Sequence, residues 1–83
     1  MSDPIRQMKL GQKEELKEQL LKLYENIKTF KQAIATQLYT TDDPLEFDAD
    51  NVFINAQSLR ATKAEYTTIH AKIKKLNEEL GII

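Results

Sequence analysis

Thr40-Thr41-Asp42-Asp43-Pro44-Leu45-Glu46-Phe47-Asp48 interrupts a chain otherwise rich in Leu, Lys, Glu, Gln and Ala. Asp43, then Pro44, then Glu46 three residues on has the order of an N-cap, a first helical residue and a capping-box partner. The block therefore predicts a reversal that carries one helical turn over 44–47. Asp48 or Asp50 is then placed to cap the helix that follows. A connector this short permits only an antiparallel return. The remaining helix breakers, Pro4, Gly11 and Gly81, sit near the two ends.

Upstream of the block, Leu16, Leu20, Leu23, Ile27, Phe30, Ile34 and Leu38 recur at helical steps of 3 and 4. Strict alternation fails, so the pattern fits a strand poorly. Glu14–Lys17, Glu18–Lys22 and Glu25–Lys28 add opposite charges at i,i+3 or i,i+4, each contributing about 0.2–0.5 kcal/mol. The first arm is predicted over residues 12–39, with the first ten residues frayed or forming a separate turn. Asp3-Pro4 offers an earlier start, at the cost of placing Gly11 inside the helix.

Downstream, Val52, Leu59, Tyr66, Ile73 and Leu80 occupy heptad position a, and Asn55, Thr62, Ile69, Leu76 and Ile83 occupy d. This predicts a second arm over residues 49–80, with Gly81 in the left-handed position after it. Asn55 and Thr62 are polar at positions that are otherwise apolar. They either fix register and partner number or lie off the contact line, Ala56 replacing Asn55. The expected fold is all-α: one long antiparallel helical hairpin over residues 1–83, coiled-coil-like, pairing with another hairpin into a four-helix bundle.

Composition sets the function classes. Eighty-three residues make one small domain with a marginal core. No Cys is present, so disulfides, thiolate nucleophiles and thiolate metal sites are excluded. A net charge of −1 argues against binding driven by bulk electrostatics. The longest apolar run is Val52-Phe53-Ile54, far short of the roughly 20 residues of a membrane span. The first ten residues have no signal-peptide core, which predicts a cytoplasmic chain.

The chemistry-bearing residues are few. Asp42, Asp43, Glu46, Asp48 and Asp50 crowd the turn, but an EF-hand starting at Asp48 would need Gly and Glu where Phe53 and Leu59 stand. These carboxylates read as turn and cap chemistry. His70 has no His or Cys companion and reads as a residue on the seam edge. Phe30 and Tyr66 belong to the stripes. Leu38, Tyr39, Leu45, Phe47, Phe53 and Ile54 gather around the turn and are expected to plug its end, the alternative being an exposed docking tip. No catalytic, cofactor-binding or metal-ligating residue is expected, and no cofactor.

Leu21, Tyr24, Ala33, Phe53, Ile54 and Ala56 fall off the strict stripes. They are the interface candidates that a second hairpin would cover. Arg6, Lys9, Lys13, Lys72, Lys74 and Lys75 come together as a basic end when the arms fold back. The expected function is a non-enzymatic protein–protein interaction or assembly module, either a homodimer or docked on a helical partner. The second reading is a small nucleic-acid-binding dimer. In architecture the hairpin is similar to Rop-type RNA-binding dimers, with only two helices and a turn in common and no shared motif. That similarity implies RNA as the ligand of the second reading.

Overall fold

The computed structural model describes residues 3–40 and 42–82. Two helices, α1 (Pro4–Thr40) and α2 (Ala49–Leu80), pack antiparallel along their length as an all-α hairpin. Thr41 and Ile83, placed above in the turn and at the end of the second stripe, lie outside the described residues.

Asp-Pro starts a helical turn twice. Asp3 Oδ1 accepts from the Ile5 amide at 3.0 Å, and Asp43 Oδ1 accepts from the Leu45 amide at 2.9 Å. In both places Pro fills the first helical position, where a missing N–H costs nothing. After Pro4 the turn propagates for 37 residues. After Pro44 it stops, with the Glu46 and Phe47 amides both on the Asp43 carbonyl. Asp48 then caps α2, accepting from the Asn51 amide at 2.9 Å. Gly81, at φ 75°, closes α2: its amide donates to the Glu78 carbonyl and that of Ile82 to the Asn77 carbonyl. This pair of bonds is the Schellman closure, and it needs a left-handed residue after the helix.

α2 has the bounds read from its sequence, whereas α1 begins at Pro4, not Gln12, and continues unbroken through Gly11. The extra turns do not fray, because α1 meets the end of α2. Arg6 donates to the Leu80 carbonyl at 3.0 Å, and Lys9 pairs with Glu79 at 3.4 Å. The Arg6 contact satisfies a carbonyl that has no partner within its own helix.

Burial follows one row on each helix. Half-buried residues on α1 include Lys9, Lys13, Leu16, Leu20, Leu23, Ile27, Phe30, Ile34 and Gln37, at steps alternating 4 and 3. On α2 the row is Val52, Asn55, Leu59, Thr62, Tyr66, Ile69, Ile73, Leu76 and Leu80. The rows run in opposite directions, so Lys9 is level with Leu80, Leu23 with Tyr66, and Gln37 with Val52. Leu80 alone among the described residues is buried, at 6% exposure, and none is fully buried.

Two expectations are corrected here, and the choice between Asn55 and Ala56 is decided. The seam of α1 ends on Gln37 and not on Leu38, which is half exposed. The 4–3 alternation continues where the apolar pattern takes a second step of 4. Gln37 Oε1 in turn lies 3.5 Å from the Asp48 amide, across the mouth of the turn. The turn is also not plugged: Phe47 alone of the six apolar residues there is half-buried. Tyr39 and Leu45 are 84% and 95% exposed. With Gln37 and Val52 on the seam, their neighbours Leu38, Tyr39, Phe53 and Ile54 must point elsewhere. Finally, Asn55 sits on the seam and Ala56 is exposed. The Asn55 amide donates to the carbonyl and the side-chain oxygen of Asn51, both at 2.9 Å. Thr62 Oγ1 donates to the Ser58 carbonyl at 2.7 Å. Both polar seam residues are satisfied within their own helix.

Candidate interaction faces

A hairpin with one seam has two broad flanks. On each helix, the residues one and four places after the row Lys13, Leu20, Ile27, Ile34 (α1) or Val52, Leu59, Tyr66, Ile73 (α2) lie on one side of the seam. Antiparallel packing puts both sets on the same face. Lys17, Leu20, Leu21, Tyr24 and Tyr66 accordingly line one shallow groove. The opposite groove is lined by Gln19, Lys22, Leu23, Thr68 and Ile69, among others.

The faces differ in charge. The first carries Lys17, Lys28, Lys31, Arg60, Lys63 and Lys74 against one carboxylate, Glu14. Leu10, Leu21, Tyr24, Leu38 and Phe53 are interleaved with those cations, all exposed. Lys28 Nζ lies 5.6 Å from the Tyr24 ring centre, and the Tyr66 and His70 rings stack at 6.4 Å and 16°. This is the basic face. The second face balances Lys22, Lys72 and Lys75 with Glu15, Glu65 and Glu79. Its remaining residues are mostly small or neutral, with Ile5 and Met8 exposed at the open end and Ile54 exposed near the turn. This is the neutral face. Glu18, Glu25, Asp50 and Glu78 look outward from the backs of the helices.

The six interface candidates thus divide. Leu21, Tyr24, Phe53 and Ala56 share the basic face, whereas Ala33 and Ile54 belong to the neutral one. The six residues read as a basic end do not form one patch. Arg6 and Lys9 are engaged with Leu80 and Glu79, and Lys13 is half-buried on the seam. Lys74 joins the basic face, and Lys72 and Lys75 the neutral face. Sequence reasoning missed that cations concentrate on one flank. The signal was there in the steps Lys17–Lys28–Lys31 and Arg60–Lys63–Lys74, which emerge only once the seam register is fixed.

Among the described residues no group of three or more His, Asp or Glu is placed to hold a metal ion. None of the helices is long and apolar enough to cross a membrane. Asn77 Oδ1 is buried without a partner near the end of α2. The chain matches no protein-family model, no curated protein and no solved structure.

Proposed function

We propose that the chain is a non-enzymatic interaction module that is completed by a second helical layer, first of all by another copy of itself. The observation that carries this reading is the surface. The chain exposes 6695 Å2, where a compact monomer of its mass would expose roughly 5,100 Å2. Its radius of gyration is 18.6 Å, against about 12 Å for a compact chain of this length. The hairpin is only 14 Å across in its thinnest direction. An excess of about 1,600 Å2 on each of two copies falls within the range that obligate homodimers bury.

The neutral face suits self-pairing, because two basic faces brought together would set six cations against six. Head-to-tail pairing about a two-fold axis lays Ile5 and Met8 of one copy near Ile54 and Ala33 of the other. It also keeps the two acidic turns apart, where side-by-side turns would repel across less than a screening length of about 8–10 Å. The result is an antiparallel four-helix bundle. With a spin label at Glu46→Cys in each copy, the label separation should exceed about 30 Å. A short distance would refute the head-to-tail order. A nucleic-acid-binding dimer is the second reading, favoured by the cations gathered on one face. It requires a duplex RNA shift that weakens steeply with salt.

A further inference from the structure

We propose that the basic face is the docking surface for an acidic amphipathic helix of another protein, laid lengthwise in the groove between α1 and α2. This inference rests on the interaction-module reading and names the partner for the face that self-pairing leaves open.

Two features of the face must be matched together. Its six cations, against one carboxylate, demand an anionic partner and exclude a second copy of the same face. Its exposed aliphatic residues demand an apolar stripe: Leu21 is 62% exposed and Leu38 50%. Nucleic acid would meet the charge but leave these aliphatic side chains against a hydrated phosphate backbone. An amphipathic helix presents apolar anchors at i, i+3, i+4 and i+7 and can carry Glu or Asp beside them. The geometry fits that shape. Leu10, Tyr24 and Leu38 recur every fourteen residues along one edge of the groove, with Lys17 and Lys31 midway between them. From Leu10 to Leu38 this edge runs about 42 Å, long enough for a helix of several turns. Tyr24 lies beneath the Lys28 ammonium and Tyr66 is stacked by His70, so two rings on the floor and wall of the groove are already held in place.

The test uses the full chain and fluorescein-labelled helical peptides of about 21 residues. One peptide has a Leu/Ile stripe flanked by Glu, a second has the same composition with the stripe scrambled, and a third keeps the stripe with Lys for Glu. A duplex RNA is the fourth probe. The striped acidic peptide should bind at micromolar concentration and the other two peptides at least about tenfold more weakly. The double variant Lys17→Glu/Lys63→Glu should weaken binding at least about tenfold, and so should the separate variant Leu21→Asp, whose side chain is exposed. Gln32→Glu/Gln57→Glu, exposed on the outer backs of α1 and α2, should change it by less than about threefold. Circular dichroism of each variant checks that it stays helical. Equal binding of the scrambled peptide, no binding of the striped acidic peptide, or equal loss in both double variants would overturn the proposal. Tighter binding of duplex RNA, lost in the basic-face variants, would replace it with the nucleic-acid reading. Sedimentation of the same samples separates the two levels. A dimer that ignores the peptide refutes only this inference; a monomer that binds no probe refutes the module reading as well.

Discussion

Gly11 and Gly81 are the same residue type at opposite structural demands. Gly11 lies inside α1 with ordinary helical backbone, and a Cβ there would meet nothing within 4 Å. Gly11→Ala should therefore stabilise the protein by about 1 kcal/mol, through a lower entropy of the unfolded chain and better helix propensity. Gly81 also has open space around it but sits at φ 75°. Ala in that conformation crowds its own carbonyl, so Gly81→Ala should cost about 1–2 kcal/mol. Urea melts of the two variants should move in opposite directions, and a shift of the same sign in both would contradict the cap assignment. Asp3 was the most informative residue that sequence reasoning underweighted. It carries the same Asp-Pro signature as Asp43, but the polar residues Lys9 and Lys13 on the seam broke the apolar stripe that would have announced a helix. Their place became readable only when Arg6 and Lys9 were seen to meet the end of α2.

The two helices show how far periodicity reaches. In α2 the heptad row was legible from Val52 to Leu80, because six of its nine residues are aliphatic and the ends carry Asp48 and Gly81. In α1 the row was legible from Leu16 to Ile34 and then misled. Leu38 is more apolar than Gln37, yet the seam needs its next residue three places after Ile34. Periodicity in a sequence records which residues are apolar, while the seam is set by the partner helix opposite. Ile27→Ala or Ile73→Ala, in mid-seam, should cost about 2–4 kcal/mol once a second layer covers the hairpin. Glu18→Ala, on the outer back of α1, should stay within about 0.5 kcal/mol. Equal costs would show the seam to be misplaced. Asn55→Leu should raise the melting temperature but broaden the distribution of oligomers, since a polar seam residue limits register and partner number at the expense of stability. Sedimentation velocity of the variant checks it: a single sharp species would contradict that role.

At the scale of the molecule, a single seam leaves both flanks of the hairpin uncovered. Two helices half-bury one stripe each, and among the described residues only Leu80 is buried. The fold class was legible because it follows from two stripes and one short turn. The faces were not, because flank residues acquire a common side only after the relative register of the arms is known. Covering the neutral face with a second copy buries Ile54 and Met8, leaves the basic face free, and sends the acidic turns to opposite ends. Stability should then depend on protein concentration, as it does when only the folded state associates. The most direct measurement is sedimentation equilibrium of the full chain at micromolar concentration and ordinary ionic strength. The expected mass is twice that of the 9.6 kDa chain, falling toward the single-chain value for Ile54→Asp on the neutral face and unchanged for Lys63→Glu on the basic face. A stable, cooperatively folded species of 9.6 kDa across that range would contradict it.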